Sequence, residues 1–523
     1  MLVSDIVRRN AEYFAGNDAV VVHGGPTFSW ADLEERSNRT AHVFAGELGL
    51  RKNDRIATVM ANCAEFYDFF FACAKTGVVG SPTNVRLAPA EIVKYLRIVG
   101  PRVILASAEH ADAVREVVRE LPSVEHVIGV GEGHGFDLDL AVLREAQPAT
   151  DPGLTVDEND TYQLAATSGT TGTPKGAVVT QRNAMAAIAT WLAEHGTGEG
   201  GTNLQVIPMF FNPGGPSGLH PVMMKGGRTV VLGAFEPAVF LEAIERYRAT
   251  HSIIVPTMLG MVLNHPSCGS HDYSSLRAIG SGGSPVPLAT VERARAMFGD
   301  VVFPMYGLAE TFSCGMVLRP ESQVTDGTEA EVRRLMSAGK PMLLMQVRVV
   351  GDDGLDVPRD NTTSGEIWLR GDSVSPGYFE MPDETSASRE GDWFKTGDIA
   401  VVDEDGYVTI VDRKKDIIIS GGINVFSREV EEALFMHPAV DQVAVIGIPD
   451  EKWGEAIHAV VTLRPGVDAT GDDLIAFAAE RLAGFKKPRS LEIVDELPIS
   501  GTGKVLKKDL RERYWVGHDR PVG

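Results

Sequence analysis

The sequence lacks the features that define several protein classes. It holds only four cysteines and no CxxC pair among them; they are Cys63, Cys73, Cys268 and Cys314. This argues against a disulfide scaffold or a cysteine-ligated metal, and predicts buried or idle thiols in a reducing compartment. No apolar run reaches the roughly 20 residues that span a bilayer. The N-terminal stretch has no basic segment followed by an apolar one. We therefore expect a soluble, cytoplasmic protein, which leaves peripheral membrane contact open.

A surplus of basic residues is also missing. The formal net charge is -22, so we expect no nucleic-acid partner, because such proteins usually carry a basic surface. An acidic chain that binds a polyphosphate must instead concentrate cations and backbone N–H groups at one place. Hydrophobic residues make up 44% of the chain and charged residues 23%, which is typical of a globular protein. The length of 523 residues predicts two or more domains.

Most of the chain alternates between β-rich apolar runs and helical patterns. Arg55–Met60 and Val78–Pro82 read as strands, and Ala64–Lys75 between them has helical spacing. This alternation predicts α/β architecture with largely parallel sheets. Residues 347–411 differ, because their short strands are separated by Asp/Gly turns, which predicts a β-rich subdomain.

A charged segment, DRKKD at Asp412–Asp416, interrupts the strand-like runs. Beyond it lies an α+β pattern of about 100 residues, a usual domain size, in which Ser427–Phe435 reads as a helix and Gln442–Ile448 as a strand. We therefore predict a domain over residues 1–414 and a second over residues 415–523.

The strongest local signal is TSGTTGTPKG, from Thr167 to Gly176, preceded by an apolar strand at Tyr162–Ala166. Its glycines allow close approach of the backbone to a polyphosphate, and its hydroxyls and N–H groups donate to phosphate oxygens. Lys175 adds a positive charge. A Walker A loop is excluded by spacing, because Pro174 stands where that pattern needs glycine. A flexible linker rarely ends in Pro-Lys-Gly between two β runs.

Five further motifs follow the phosphate loop. An aromatic ring at Tyr306 suits a purine, the Glu310 carboxylate suits Mg²⁺, and Asp398 can only accept hydrogen bonds. Taken singly, each motif is an ordinary turn. They are GSGGSP from Gly280 to Pro285, MYGLAET from Met305 to Thr311, KTGD from Lys395 to Asp398, DRKKD from Asp412 to Asp416, and SGTGK from Ser500 to Lys504.

The phosphate loop and these motifs, in this order, resemble the adenylate-forming superfamily of acyl-CoA synthetases, peptide-synthetase adenylation domains and luciferases. The resemblance runs from about Thr27 to about Lys508. It implies a large, multi-subdomain N-terminal domain with parallel sheets and a β-rich subdomain, followed by a small mobile α+β domain. It also implies that ATP converts a carboxylic acid into an acyl-adenylate, from which a thiol takes the acyl group.

The resemblance implies a role for each motif. Lys504 bridges the acid and the α-phosphate, and Glu310 and Thr170 hold Mg²⁺. Tyr306 flanks adenine, Asp398 accepts from the ribose, and Arg413 contacts ribose or phosphate. The implied catalytic residues are Lys504, Glu310, Lys175 and Thr167. The implied contacts to ATP or coenzyme A are Thr167, Ser168, Gly169, Thr170, Thr171, Lys175, Gly283, Ser284, Met305, Tyr306, Gly307, Thr311, Asp398, Arg413, Lys504, Ser420, Gly421 and Gly422.

Transfer of the acyl group to the thiol, the second step, implies a movement of the small domain. The resemblance makes Lys415 a hinge, about which the small domain presents Lys504 first and a coenzyme A tunnel second. The SGGIN segment, Ser420–Asn424, would line the coenzyme A entry. The PDEKWGE segment, Pro449–Glu455, also matches acyl-CoA synthetases. Coenzyme A is therefore the expected acceptor, since the chain shows no carrier domain of its own.

The acyl-pocket motif departs from the family pattern. The chain reads PMFFNPGGPSG from Pro208 to Gly218, with Phe211 where many relatives carry histidine. The hypothesis is an apolar acid, either bulky, as in alicyclic or polycyclic acids, or of medium to long chain. The expected pocket residues are Phe210, Phe211, Asn212, Gly214, Gly282 and Gly307.

Three alternatives stay open. The first is a ligase that loads the acyl group onto carrier-protein pantetheine. The second, a luciferase-like oxygenase, has no positive feature in the sequence. The third is an inactive nucleotide-binding scaffold, against which the retained Glu310, Asp398, Arg413 and Lys504 argue. The oligomeric state is also open, with a homodimer as one option.

Overall fold

The computed structural model describes residues 1–167, 174–284, 286–499 and 505–516, apart from the side chains of residues 217–220. Contacts between Cα atoms divide the chain into two compact units. The first unit comprises Met1–Val347 and Leu369–Phe394, and the second comprises Arg348–Trp368 and Lys395–Gly523. The predicted domain boundary at Lys415 stays a prediction.

The described helices, in chain order, are α1 Ser4–Tyr13, α2 Trp30–His42, α3 Glu65–Thr76, α4 Pro89–Val99, α5 Ala111–Val118, α6 Leu140–Glu145, α7 Gln181–His195, α8 Pro216–Met223, α9 Pro237–Arg246, α10 Pro256–Asn264, α11 Leu288–Phe298, α12 Glu329–Arg333, α13 Pro382–Ala387, α14 Ser427–Phe435, α15 Gly471–Ala479 and α16 Lys507–Glu512.

The described strands are β1 Asp18–Val22, β2 Thr27–Ser29, β3 Arg55–Val59, β4 Val79–Pro82, β5 Val103–Ser107, β6 His126–Val130, β7 Leu138–Asp139, β8 Thr161–Thr167, β9 Lys175–Thr180, β10 Thr202–Gln205, β11 Arg228–Val231, β12 His251–Ile254, β13 Ala278–Gly282, β14 Val302–Gly307, β15 Gly315–Val317, β16 Lys340–Pro341, β17 Gln346–Val350, β18 Gly365–Arg370, β19 Arg389–Glu390, β20 Trp393–Val402, β21 Val408–Arg413, β22 Ile418–Ser420, β23 Ile423–Val425, β24 Val440–Asp450, β25 Gly454–Leu463 and β26 Ser490–Ile493.

Two largely parallel sheets build the first unit. One has the order β16-β15-β14-β13-β12-β10-β11-β1-β2 and is antiparallel at its two ends, where β15 pairs with β14 and β16, and β1 with β2. The other has the order β7-β6-β5-β3-β4-β8-β9 and is antiparallel at the β8–β9 hairpin. The predicted α/β class with parallel sheets is confirmed.

Helix α3 is buried on nearly every face. All but the first of its residues are buried, including Phe66, Phe69, Phe70 and Phe71. A helix that is apolar on nearly every face belongs between layers rather than on a surface. It ends at Gly77, whose φ of 72° is the left-handed conformation that glycine adopts without strain.

The second unit contains two sheets. The strands β17, β18 and β20 belong to this unit only in part. Their residues in this unit form one sheet with β21, in the order β17-β18-β20-β21. The other sheet has the order β23-β22-β25-β24, with β26 beside β25. Alternate residues of β24 point to opposite faces of the sheet. Val445 packs with α14 and α15, whereas Ala444 and Ile446 pack with Leu510 of α16. Helices therefore cover both faces of this sheet, and the predicted α+β character of this part of the chain is confirmed.

Predicted elements agree in type and shift at their ends. The helix expected over Ser427–Phe435 has those bounds, while β24 extends beyond the expected Gln442–Ile448 at both ends. The charged segment is divided, because β21 continues through Arg413 and Lys414–Asp416 form a turn of 3-10 helix. Antiparallel pairing with β20 carries the strand further than its apolar residues indicate.

A buried histidine pair lies in the first unit. His195 ends α7, and its ring centroid is 6.2 Å from that of His251, the first residue of β12. Trp191 and Phe303 enclose His195, and its Nε2 has no hydrogen-bond partner among the described residues. Burial lowers the pKa of His195 to about 3 and that of His251 to about 4.

This pair should make the fold sensitive to acid. Histidines in the unfolded chain take up protons near pH 6.5 while the buried pair stays neutral, so stability present above pH 6.5 is lost as the pH falls. Between pH 6.5 and pH 5, the free energy of unfolding should fall by about 3 kcal/mol through both residues. Urea denaturation of His195→Leu should show about half that pH dependence, and His42→Gln should show all of it. An unchanged slope in His195→Leu would contradict this prediction.

Candidate active site

Two predicted motifs meet at the carboxyl ends of neighbouring strands. β13 ends at Gly282 and β14 carries Met305, and these two residues are partners in parallel register. A Cβ added at Gly282 would lie 2.6 Å from the Met305 carbonyl oxygen, so the two strands approach too closely for a side chain there. Gly283 and Ser284 follow and are exposed. Ligands bind at this edge of open α/β sheets.

A tight turn after β14 carries Glu310. Residues Ala309–Thr311 form one turn of 3-10 helix, and the buried Thr311 hydroxyl accepts from the Leu308 N–H at 3.1 Å. The chain then reverses through Phe312 and Ser313, which have φ values of 49° and 69°. Such values are uncommon for residues other than glycine.

The reversal also explains a glycine in the motif. A Cβ at Gly307 would lie 2.3 Å from the Ser313 carbonyl oxygen, so β14 and β15 pair only with glycine there. Tyr306, beside it, is half-buried. The conformation of the MYGLAET segment is therefore fixed by the β14–β15 pairing and by the hydrogen bond between Thr311 and Leu308.

The phosphate loop connects β8 to β9. Thr167 is the last residue of β8 and lies opposite Lys175, the first residue of β9. The Thr167 hydroxyl oxygen is buried without a hydrogen-bond partner among the described residues. Four predicted contacts, Ser168, Gly169, Thr170 and Thr171, lie outside the described residues.

Tyr378, which the sequence motifs did not indicate, connects Lys175 with Glu310. The Lys175 ammonium nitrogen lies 4.7 Å from the Tyr378 ring centroid, and the Tyr378 hydroxyl donates to Glu310 Oε1 at 2.8 Å. The backbone N–H of Ser375 donates to the Glu310 carbonyl at 2.7 Å. Burial raises the pKa of Tyr378, and the Glu310 carboxylate raises it further, so the hydroxyl stays a donor.

The acyl-pocket motif is joined to the Glu310 turn. Asn212 is buried, and its side-chain N–H group donates to the Ala309 carbonyl at 3.2 Å. Phe210 is buried and Phe211 half-buried, and their rings meet edge to face at 4.5 Å. Gly214 has no room for a side chain, since a Cβ would lie 2.2 Å from the Pro208 carbonyl oxygen.

Asn62 is a second residue that sequence reasoning missed. Its side-chain oxygen accepts from the Met209 N–H at 2.8 Å, and its amide N–H donates to the Ile207 carbonyl at 3.1 Å. These bonds fix the start of the predicted acyl-pocket motif. The only signal for it in the sequence is a polar residue after the apolar strand β3.

In the second unit, two predicted nucleotide contacts form an ion pair. Asp398 on β20 lies opposite Arg413 on β21, and Arg413 Nε is 2.7 Å from Asp398 Oδ1. The Asp398 side chain is only 4% exposed. Burial lowers the pKa of Lys415, the predicted hinge residue, and the Arg413 charge acts in the same direction against the opposing Asp416.

The predicted coenzyme A loop lies against an aromatic ring. Ser420–Gly422 connects β22 and β23, and Gly421 and Gly422 have φ values of 62° and 80°. A Cβ at Gly421 would lie 2.8 Å from the Trp453 ring. Two cations flank this ring, with Arg489 at 4.5 Å and Lys452 at 4.8 Å from its centroid.

Some predicted contacts cannot be placed. Lys504 lies outside the described residues, as do the loop residues named above. Its described neighbours are fixed, since Ile499 and Val505 form an antiparallel bridge. Within the described ranges, no cluster of three or more His, Cys, Asp or Glu side chains is arranged to hold a metal. In the same residues, no helix is long and apolar enough to cross a bilayer.

Family models match both parts of the chain. The model described as "AMP-binding enzyme" matches residues 7–379, and the model described as "AMP-binding enzyme C-terminal domain" matches residues 429–504. The chain belongs to this family of AMP-binding enzymes. It is an AMP-forming acid–thiol ligase of the acyl-CoA synthetase class, which uses ATP.

Individual relatives cover nearly the whole chain. It is 36% identical over 494 residues to a feruloyl-CoA synthase from Amycolatopsis, covering 94% of this chain and 95% of the relative. It is 34% identical to the "Fatty acid--[acyl-carrier-protein] ligase ScoC" of Streptomyces coeruleorubidus, covering 95% and 94%. The crystal structure of the anthranilate CoA ligase AuaEII with anthranoyl-AMP has a TM-score of 0.86 at 26% identity, covering 99% and 98%.

Proposed function

We propose that this enzyme converts a bulky, ring-bearing apolar carboxylic acid into its coenzyme A thioester through an acyl-adenylate. The observation that carries the proposal is the bond from Asn212 to Ala309. This bond holds the Phe210–Phe211 pair beside the turn that carries Glu310, and Phe211 is at the position where many members of the resembled family carry histidine. An apolar acid would then lie with its carboxylate toward the nucleotide site.

The aromatic pair favours a ring over a short or polar acid. Phe211 is half-buried, so the protein does not fully enclose this residue, and the Phe210 ring packs against it edge to face. Aromatic rings provide large apolar contact area with a defined geometry. A relative named feruloyl-CoA synthase and a solved structure named anthranilate CoA ligase support a ring in the acid, since both names denote aromatic acids.

The nucleotide site fits Mg²⁺·ATP. Glu310 supplies a carboxylate oxygen, the kind of ligand that suits Mg²⁺, an ion that takes one or two carboxylates plus substrate phosphates. Glu310, with Thr170 of the phosphate loop, would hold the ion, which neutralises phosphate charge when bound. Lys175 would bind the β- and γ-phosphates, and Lys504 would bind the reacting carboxylate and the α-phosphate.

Coenzyme A is the proposed acceptor. It carries several phosphate groups, and Lys452 and Arg489 place two positive charges at the ring of Trp453, against the Ser420–Gly422 loop. Cations near a loop with two left-handed glycines suit a polyphosphate. We further propose that residues 415–523 turn about Lys415 between the two half-reactions.

A substrate panel tests the acid and the acceptor together. Pyrophosphate exchange and AMP release should be measured with a cinnamic acid, a fused-ring propanoic acid, dodecanoic acid and acetic acid. We expect kcat/KM for the ring-bearing acids to exceed that for acetate at least about tenfold, since apolar contacts of this size discriminate by that much. Phe211→Ala should reduce this preference, and Phe235→Ala, outside the pocket motif, should not.

The acceptor is read from the same reactions. AMP release should rise on adding coenzyme A, and mass spectrometry should find the thioester. Acceleration by a phosphopantetheinyl carrier protein alone would establish the carrier-loading alternative. Best turnover of acetate or a small amino acid would overturn the proposed acid, and absence of exchange with every acid would support an inactive scaffold.

A further inference from the structure

Tyr378 lies on a segment whose backbone is fixed against the phosphate-loop hairpin. It bridges to Ala177 of β9, the Val178 N–H donates to the Gly377 carbonyl, and the Phe379 N–H donates to the Gly176 carbonyl, both at 2.9 Å. This pairing sets the position of the tyrosine ring relative to Lys175, two residues before Ala177. The position of the Tyr378 ring is therefore set by the backbone pairing of its segment with β9.

Two opposite charges meet this one side chain. The Lys175 ammonium lies over the ring face, 4.7 Å from the centroid, and Glu310 Oε1 accepts from the hydroxyl at 2.8 Å. No salt bridge joins either residue to another charged side chain within the described part of the chain. The aromatic ring thus separates a cation from a carboxylate that belong to the same site.

The separation has a chemical consequence. A cation over an aromatic face is stabilised without being neutralised, because the ring offers a quadrupole rather than a charge. A carboxylate that accepts one hydroxyl bond likewise keeps its charge and its second oxygen. If Lys175 and Glu310 paired with each other, each would have to give up that partner before binding phosphate or metal.

We propose that Tyr378 is a positioning residue that keeps Lys175 and Glu310 apart, so that one remains available for the phosphates of ATP and the other for Mg²⁺. This rests on the proposed function, since it assumes the Mg²⁺·ATP site described above. The ring is the spacer and the hydroxyl orients the carboxylate. The two parts of the side chain therefore have separable effects.

Calorimetric titration separates them without measuring turnover. The full-length enzyme and its variants are titrated with ATP in excess Mg²⁺ and with ATP in EDTA. Tyr378→Phe keeps the spacer but loses the hydroxyl, so Mg²⁺·ATP should bind about tenfold more weakly with metal-free ATP unchanged. Tyr378→Ala should weaken both, each by about tenfold or more, because Lys175 and Glu310 then pair.

A double variant tests the pairing itself. In the Tyr378→Ala background, adding Glu310→Gln should restore metal-free ATP binding, because it frees Lys175. Glu310→Gln alone, in the wild-type background, gives the reference, and the gain in metal-free ATP binding should be larger in the Tyr378→Ala background than in wild type. If Tyr378→Ala only disrupted local structure, removing the Glu310 carboxylate would not restore ATP affinity. Restored affinity in the double variant therefore distinguishes a spacer from a residue that only supports packing. Phe379→Leu, at the adjacent position, is the matched control and should bind as wild type.

The outcomes separate the two proposals. Wild-type enzyme that binds ATP no better with Mg²⁺ than with EDTA would overturn the proposed metal site. Wild-type enzyme that prefers Mg²⁺·ATP, with Tyr378→Phe binding both forms unchanged, would overturn the role of the hydroxyl. Failure of Glu310→Gln to rescue Tyr378→Ala would overturn the spacer. If Tyr378→Ala does not fold, Tyr378→Leu takes its place in the same cycle.

Discussion

Replacing Lys504 with alanine should reduce acyl-adenylate formation by about 10²–10³-fold, which is the usual effect of removing one preorganised group that stabilises transition-state charge. The carboxylate and the α-phosphate are both anionic, and attack brings them together. Lys504 is the proposed cation between them. The measurement is acid-dependent pyrophosphate exchange, with the ATP concentration varied to separate KM from kcat.

The second half-reaction provides the internal control. Thioester formation from supplied acyl-adenylate and coenzyme A should stay within about threefold of wild type, because Lys504 stabilises charge only in the first step. Lys508→Met, four residues later, should affect neither half-reaction. Equal losses in both half-reactions of Lys504→Ala would mean that the residue supports the fold or substrate binding, and would contradict the assignment.

Part of the site follows directly from the sequence. GSGGSP and MYGLAET were both expected at the nucleotide, and in the structure they lie at the carboxyl ends of the parallel strands β13 and β14, where Gly282 is opposite Met305. Asp398 and Arg413 were both expected at the nucleotide, and their ion pair follows from antiparallel β20 and β21. Local patterning was sufficient because each motif lies at the end of a regular element.

The contacts that sequence reasoning missed join segments far apart along the chain. Tyr378 meets Lys175 only because residues 377–379 run beside β9, about 200 residues earlier. Asn62 meets Met209 across a comparable distance. Nothing near Tyr378 in the sequence specifies that register, because pairing between distant segments depends on the packing of the whole unit. Local sequence patterns therefore predicted the elements, and the resemblance of the motifs to a known family predicted the site residues. Tertiary packing decided which further side chains orient them.

Lys507 illustrates a further contact of this kind, and its replacement should have the second large effect. Its ammonium lies 2.7 Å from Glu431 of α14 and donates to the Ser427 hydroxyl at 2.7 Å. Ser427 in turn donates to Asp412, and Arg511 pairs with Asp416 at 2.6 Å. One network therefore joins α16, which begins three residues after Lys504, to α14 and to the segment that contains the proposed hinge.

Lys507→Met should destabilise the second unit by about 3 kcal/mol, because it leaves two largely buried carboxylates without their cation. Burial already raises the pKa of Glu431 and of Asp412, and Lys507 opposes that rise at both. Without Lys507 both pKa values rise further above their unfolded values. A raised carboxyl pKa contributes stability below the unfolded pKa that is lost as the pH increases. The defect should therefore be larger at pH 7.5 than at pH 5.

Hydrogen exchange of the full-length enzyme locates this defect. Peptides covering Asp412–Asp416 and Ser427–Glu431 should exchange faster in Lys507→Met, and those of β12 to β14 should not change. Lys508→Met is the matched control, because Lys508 is exposed and its ion pair with Glu512 is long, at 3.6 Å, an interaction worth less than about 0.5 kcal/mol. Lys507→Arg keeps the charge and should recover most of the protection. Equal exchange in Lys507→Met and Lys508→Met, or a defect that does not change with pH, would show that the network contributes no charge-dependent stability.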